Sequence, residues 1–198
     1  LEVYGWRMIL TLPFLTLFMR ATGDWPLVRE VARAVRGNKL LILFLPLSAF
    51  LMGVQLWLFM WAPINGRALQ VSLGYLLMPL TMVICGQVFF GETLRRYQKL
   101  AGLLAAAGVA NQVWQVGAVS WEALVVALGF PAYFILRRFL RTNHLGGLWF
   151  DILFTIPVAA VIVRGGPAGL EAFAARPGLG VFVLLLGVMS AAAIACYT

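Results

Sequence analysis

The sequence has very little charge. Only 11% of its 198 residues are Asp, Glu, Lys or Arg, whereas 63% are hydrophobic, and the mean hydropathy is +0.94. Soluble domains contain about 25% charged and about 45 to 50% apolar residues. A water-soluble globular domain is therefore not expected, and the composition favours a protein that lies in a lipid bilayer.

Histidine and cysteine are also scarce. His144 is the only histidine, and the two cysteines, Cys85 and Cys196, lie inside apolar runs. A metal cluster and a disulfide framework both need more of these residues at suitable spacing. The sequence also lacks a Ser/His/Asp set and a glycine-rich phosphate loop. We therefore expect no enzyme activity, no metal and no cofactor.

The excess of basic residues does not indicate nucleic-acid binding. The formal net charge is +8, but Lys and Arg fall in short clusters between apolar runs. Such clusters encode the orientation of membrane helices. No nucleic-acid partner is expected.

The apolar runs predict seven membrane spans, because a spanning helix needs about 20 largely apolar residues. The predicted spans, numbered 1 to 7, are 4–19, 40–65, 68–90, 100–115, 120–136, 145–163 and 181–198. The segment between spans 1 and 2 is too short and too charged to cross. It predicts an amphipathic connector with four apolar residues on one side, Leu27, Val28, Val31 and Val35, and four charged residues on the other, Arg29, Glu30, Arg33 and Arg36.

The basic residues predict the orientation. The loops 20–39, 92–99 and 137–144, which follow spans 1, 3 and 5, contain eleven Arg and Lys residues, against three in the loops after spans 2, 4 and 6. Loops rich in Lys and Arg face the cytoplasm. The sequence thus predicts a multi-pass protein of the bacterial inner membrane, with these three loops cytoplasmic.

Spans 1 and 6 suggest an internal repeat. Arg7, Thr11 and Pro13 align without a gap on Asp151, Thr155 and Pro157. Since the two spans run in opposite directions, the match would be an inverted repeat, a symmetry on which many secondary transporters are built. The predicted organisation is one integral-membrane domain, with 1–116 in the first repeat and 117–198 in the second.

Arg7 and Asp151 are charges inside apolar helices, where each costs about 2.5 to 3.5 kcal/mol unless it is paired or hydrated. Two interpretations stay open. Either residue can face a central cavity, where Arg7 holds an anionic group and Asp151 titrates or pairs with it. Alternatively, both lie near the interface and reach towards water.

Other residues extend this candidate site. Trp57 and Trp61 share a helix face, and with Gln55 they could form an aromatic wall for a flat solute. Tyr75 and Tyr133 are further candidates for the cavity lining, although interfacial aromatic belts also explain such residues. Helix kinks, which can free backbone groups to line a site, are predicted at Pro46, Pro79, Pro131 and Pro157.

Several motifs resemble one transporter family. They are Ser72-Leu73-Gly74-Tyr75, Pro79-Leu80 and Gly91-Glu92, followed by Arg95-Arg96 and Gln98. Together with Trp6-Arg7 and Asn65 upstream and Trp114-Gln115 downstream, they resemble the RarD branch of the EamA drug/metabolite transporters. The likeness extends over essentially the whole chain.

The resemblance implies an all-α, polytopic helix bundle of ten helices in two inverted five-helix repeats, of which this chain would contain helices two to eight. It also implies a permease, from a branch associated with chloramphenicol sensitivity. We expect a secondary transporter of small organic solutes that works by alternating access without nucleotide hydrolysis. The expected partners are the lipid bilayer, the solute and protons as coupling ion. The alternatives are a non-transporting membrane scaffold subunit and a component of a membrane-embedded enzyme.

Overall fold

The computed structural model describes residues 2–116 and 120–165, together with 180–181, 184–185 and 187–189. Over these residues the chain forms helices and no strands. The helices are α1 (Glu2–Thr22), α2 (Trp25–Gly37), α3 (Lys39–Ile64), α4 (Ala68–Phe90), α5 (Arg96–Val116), α6 (Trp121–Phe139) and α7 (Leu145–Arg164). The predicted all-α class is confirmed.

Predicted spans 1 to 6 coincide with α1 and α3 to α7 to within a few residues. Three of the described helices, α3, α4 and α7, are long and apolar enough to cross a membrane by length and composition. Most of predicted span 7 lies outside the described residues. Helix α4 ends where Gly91 takes a left-handed φ of 63°, a backbone conformation that favours glycine.

The helices run unbroken through the prolines at which kinks are predicted. Pro46 lies within α3, Pro79 within α4, Pro131 within α6 and Pro157 within α7. Proline removes one backbone hydrogen bond and crowds the preceding turn, which bends helices without ending them. The kinks themselves remain a prediction.

The chain divides into two compact units. Unit 1 comprises residues 1–53 and 137–198, and unit 2 comprises residues 54–136. In unit 1, α1 and α7 pack side by side, with Gly5 against Ala159 and the Trp149 indole donating to Thr16 Oγ1 at 2.8 Å. These two contacts show that α1 and α7 are antiparallel.

Helix α2 covers the core of unit 1 with its apolar face. Val28 packs with four buried residues of α1 and α7, and Val31 packs with Leu41 and Leu45 of α3. The arginines of α2 are exposed. The predicted amphipathic connector is confirmed, since a helix of this pattern buries one face and solvates the other.

Unit 2 packs around a closely spaced helix pair, α4 and α6. A Cβ atom at Gly74 of α4 would lie 2.7 Å from Val126 Cβ and 2.8 Å from the Ala123 carbonyl oxygen of α6. The Thr81 hydroxyl donates across the same pair to the Ala127 carbonyl at 2.6 Å. Small residues allow such close approach in lipid, where interhelical hydrogen bonds also contribute.

Gly74→Ala is predicted to lower the stability of the protein by about 1 to 3 kcal/mol, because the added methyl group would overpack the contact with α6. Gly108→Ala is the matched control, since a Cβ there meets nothing within 4 Å. That substitution should leave stability unchanged or raise it, by up to about 1 kcal/mol. The measurement is the unfolding midpoint in detergent. Equal effects of the two substitutions would contradict the close α4–α6 contact.

Candidate functional site

A buried ionic cluster lies in unit 1, where Asp151 meets Arg137 and Ser48. Arg137 Nη1 donates to Asp151 Oδ2 at 3.3 Å, and the two side chains are only 6% and 1% exposed. The Ser48 hydroxyl, which is fully buried, donates to the other carboxylate oxygen, Oδ1. Both oxygens of Asp151 therefore accept a hydrogen bond inside an apolar helix.

Arg137 also holds the turn that joins α6 to α7. Its Nε donates to the Thr142 carbonyl at 3.1 Å, and its Nη2 donates to the carbonyls of Thr142 and His144, the latter at 2.6 Å. A guanidinium presents five donors in a rigid fork, so one side chain can reach both a carboxylate and backbone carbonyls. We call Ser48, Arg137 and Asp151 the ionic cluster.

The placement of Arg137 corrects its predicted role as a charge of the loop 137–144. It lies in the last turn of α6 and is buried. A count of basic residues assigns every arginine near a helix end to water, because it carries no information on depth. The signal that could have found the pair is the short α6–α7 connection, which brings the end of one helix beside the start of the next.

The antiparallel packing also places Arg7 away from the level of Asp151. Since Gly5 lies against Ala159 and Thr16 against Trp149, Arg7 of α1 is level with about residue 157 of α7. At about 1.5 Å per residue, this is roughly 9 Å along the axis from Asp151. The ion pair of Asp151 is with Arg137, and Arg7 itself is half-buried.

Three of the predicted aromatic residues lie close together in unit 2. The rings of Trp57 and Trp61 stack with centroids 5.4 Å apart, and Trp61 lies 6.0 Å from Trp121. Tyr75 packs on the same apolar cluster, with its ring 5.8 Å from Phe130. We call Trp57, Trp61, Tyr75, Trp121 and Phe130 the aromatic array.

Tyr133 of α6 is buried near Phe130, the member of the array that lies on the same helix. Its ring lies 5.2 Å from that of Phe134, which stacks in turn on Phe130 at 6.4 Å. Tyr133 is 5% exposed, so it belongs to the packed interior of unit 2. The ring of Phe134 thus lies between Tyr133 and the array.

Gln55 is buried on another side of α3 from Trp57. Its Nε2 donates to the Val125 carbonyl at 2.8 Å, beside Gly129, where a side chain would collide with the amide. Side chains two positions apart on a helix point in directions that differ by about 200° around its axis. Gln55 and Trp57 therefore do not form one continuous wall. Gln55 Oε1 is buried and, among the described residues, accepts no hydrogen bond.

A second ion pair, absent from the sequence analysis, joins α4 to α6 in unit 2. Arg67 Nη1 lies 3.6 Å from Glu122 Oε1. Glu122 is fully buried, whereas the Arg67 side chain is 50% exposed. A glutamate in the first turn of a helix is ordinarily a solvated residue that the helix dipole favours, so its position in the sequence does not mark Glu122 as buried.

His144, at the start of α7, adds no positive charge beside Arg137. Burial lowers the pKa of His144, and the nearby Arg137 charge lowers it further, against smaller opposing effects of Glu30 and the Arg141 backbone. The imidazole is therefore neutral at pH 7. Among the residues that the structure describes, no three His, Cys, Asp or Glu side chains are grouped as a metal site requires.

Buried, paired charges in membrane helices are typical of transporters, and the comparison with known proteins agrees. The EamA-like transporter family matches residues 1–112, more than half of the chain. The chain belongs to the EamA-like transporter family. No solved structure matches it.

The curated relatives of this EamA-like chain include RarD proteins. It is 38% identical over 193 residues to a chloramphenicol-sensitive protein RarD of Pseudomonas aeruginosa, covering 98% of this chain and 64% of the relative. It is 36% identical over 197 residues to an uncharacterized transporter of Pasteurella multocida, covering 99% and 67%. A protein RarD of Salmonella typhimurium is 32% identical, with 100% of this chain and 66% of the relative covered.

The chain therefore spans about two thirds of the length of these relatives, 64% in the first case. The predicted resemblance to RarD-type permeases is confirmed, and so is the prediction of an EamA-like chain.

Asp151→Asn is predicted to destabilise the EamA-like chain by about 3 to 5 kcal/mol, because it leaves the Arg137 charge buried without its counterion. The double variant Arg137→Gln/Asp151→Asn should be more stable than the sum of the single variants by about 1 to 3 kcal/mol. Unfolding midpoints of the four proteins in detergent provide the cycle. Strict additivity would show that the two side chains do not interact.

Proposed function

We propose that this protein is a secondary transporter of the drug/metabolite type, which moves small organic solutes across the bacterial inner membrane by alternating access. The observation that supports the proposal most strongly is the buried ion pair of Arg137 with Asp151, in an apolar helix of an EamA-like chain. Intramembrane ion pairs are expensive to build and mark solute or proton paths. Transport uses no nucleotide, since the sequence has no phosphate-binding loop.

Asp151 is the proposed coupling residue. A proton that binds its carboxylate would neutralise the acceptor of two hydrogen bonds, one from Arg137 and one from Ser48. The three residues belong to α6, α7 and α3. Protonation would therefore release contacts among three helices at once, and such a release is how a local charge change biases a bistable helix packing. Protons are thus the proposed coupling ion.

The aromatic array is the proposed solute-binding element. The stacked rings of Trp57 and Trp61 present a flat, polarisable surface, and Tyr75 adds a phenol to the same cluster. A solute with an aromatic or other planar group would gain from such a surface. Gln55 and Tyr133 remain proposed lining residues on other sides of their helices, and Arg7 is the proposed partner of an anionic group.

The proposed orientation follows the basic residues. The loops 20–39, 92–99 and 137–144, the last without the buried Arg137, would face the cytoplasm. The ionic cluster then lies near the inner end of α6 and α7, and the Arg67–Glu122 pair near the outer end of α4 and α6. The inverted repeat, with 1–116 and 117–198 as its halves, supports alternating access as part of the same proposal.

Solute flux in membrane vesicles tests this function. The protein is expressed from its complete gene, and a panel of amphenicols, aromatic and aliphatic amino acids is assayed with and without a proton gradient. We expect proton-dependent flux of a planar solute. Arg7→Ala and the double variant Arg137→Gln/Asp151→Asn should lower it at least tenfold, on the order of 1.4 kcal/mol or more in the barrier.

The double variant is used because it leaves neither charge buried without its partner, and its amount in the vesicles is measured so that a loss of flux is not mistaken for a loss of protein. Asp24→Asn is the matched control, since the same substitution there affects a turn residue beside α2. Flux that persists in both Arg7→Ala and the double variant would make these charges structural. An absence of flux for every solute in the wild type would favour a scaffold role.

A further inference from the structure

Glu122 is a buried carboxylate whose side chain is 1% exposed. Among the residues that the structure describes, neither of its oxygens has a hydrogen-bond partner. Its one ion-pair partner, Arg67 Nη1, lies 3.6 Å away, beyond the roughly 2.7 to 2.9 Å of a charge-assisted hydrogen bond. Buried carboxylates are ordinarily satisfied by two or more donors. Glu122 therefore has capacity for donors that the described chain does not supply.

A small pocket is lined by residues close in sequence to both members of this ion pair, although neither Glu122 nor Arg67 lines it. It has a volume of about 230 Å³, and its polar lining comes from Gln70, Ser72, Gln112 and Ser120, with leucines of α4 as the apolar part. Gln70 is three residues after Arg67, a spacing that puts two residues on the same helix face, and Ser120 immediately precedes α6, two positions before Glu122.

Near the Arg67–Glu122 pair, hydrogen-bond acceptors outnumber the donors that could satisfy them. Gln70 Oε1 is buried and, like the two oxygens of Glu122, accepts no hydrogen bond within the described part of the chain. The Ser120 hydroxyl already accepts the Ala123 backbone N–H at 3.3 Å as the start of α6. The dipole of α6 favours a negative charge at this position, but it supplies Glu122 with no hydrogen bond. A ligand that reached all three of these acceptors would need several N–H donors, and a positive charge on it would compensate the carboxylate.

We propose that Glu122 and Gln70 form a binding site for an organic cation with N–H donors, a primary ammonium or a guanidinium, and that Arg67 closes this site as a tethered competitor. Arg67 suits that role because its side chain is half exposed and makes no close hydrogen bond to the carboxylate. When it swings outwards, the N–H donors of the ligand replace it, and the alkyl part of the ligand lies on the pocket leucines. The site does not depend on the transport proposal, because binding can be measured without flux.

The test is ligand-induced stabilisation of the full-length protein in detergent at low ionic strength. The probe is n-butylammonium chloride, compared with n-butanol, which lacks the charge, and tetramethylammonium chloride, which has the charge but no N–H donor. We expect a saturable rise in the unfolding midpoint with n-butylammonium alone. Arg67→Gln should bind it about fivefold more tightly, because a partly exposed internal competitor is removed.

Two substitutions should remove or weaken the response. Glu122→Gln keeps the shape but loses the charge and should abolish it, and Gln70→Leu should weaken it several-fold. Arg96→Gln, which removes an exposed arginine outside the site, is the matched control and should leave the affinity unchanged. If Glu122→Gln does not fold, Glu122→Asp takes its place. The side chain of this variant is one methylene shorter, so it should bind n-butylammonium more weakly than the wild type.

Three results would overturn the proposal. One is an equal response to tetramethylammonium, which would indicate charge screening rather than a site. Another is an unchanged response in Glu122→Gln, or in Glu122→Asp where that replaces it. The third is an Arg67→Gln protein that binds n-butylammonium no more tightly than the wild type, since the arginine would then not compete for the carboxylate.

Discussion

The carboxylate of Asp151 is the constraint on which the rest of unit 1 depends. An ionised group inside an apolar helix is unfavourable unless its oxygens are paired, and here Arg137 and Ser48 each donate to one of them. The same guanidinium holds the carbonyls of Thr142 and His144, which shapes the α6–α7 turn. One arginine thus compensates the buried charge and fixes the connection between two helices. Any motion of α6 against α7 within unit 1 must break these bonds.

The two units show different solutions to helix packing in an apolar protein. Unit 1 relies on a polar cluster and on an antiparallel pair, α1 and α7, with a buried core of Leu15, Met19 and Ile152. Unit 2 relies on small residues and rings, since Gly74 lets α4 approach α6 and Trp57 stacks on Trp61. Lipid supplies little hydrophobic force between helices, so shape and hydrogen bonds decide which faces meet.

Helix positions could be predicted well from the sequence because lipid imposes length and polarity on each span. Span 3, predicted at 68–90, is the helix Ala68–Phe90, and the amphipathic α2 was identified by its two faces. Asp151 was selected because a charge in such a run is costly. Its partner was not, because a count of basic residues near helix ends does not distinguish buried Arg137 from exposed Arg138.

The pairing of side chains between helices could not be predicted from the sequence either. Gln55 was grouped with Trp57 by proximity in sequence, but the helical turn separates them, and Gln55 meets the backbone of α6 at Val125. Glu122 has no mark in the sequence, because its burial and its pairing with Arg67 are tertiary contacts that local pattern does not reveal. Local pattern therefore predicted which residues are unusual, whereas tertiary contacts were needed to show what each residue touches.

The central claim is that the ionic cluster opens during transport, and thiol accessibility at Thr142 tests it most directly. Thr142 is 3% exposed beside Arg137, and with the described residues its hydroxyl makes no hydrogen bond that a cysteine would lose. In a background without Cys85 and Cys196, Thr142→Cys is treated with a membrane-impermeant maleimide in inside-out vesicles, with Asn143→Cys as the exposed neighbour. The account predicts slow labelling at rest and faster labelling when a transported solute is present, while Asn143→Cys reacts equally in both conditions. Labelling of Thr142→Cys that does not change while solute is transported would contradict it.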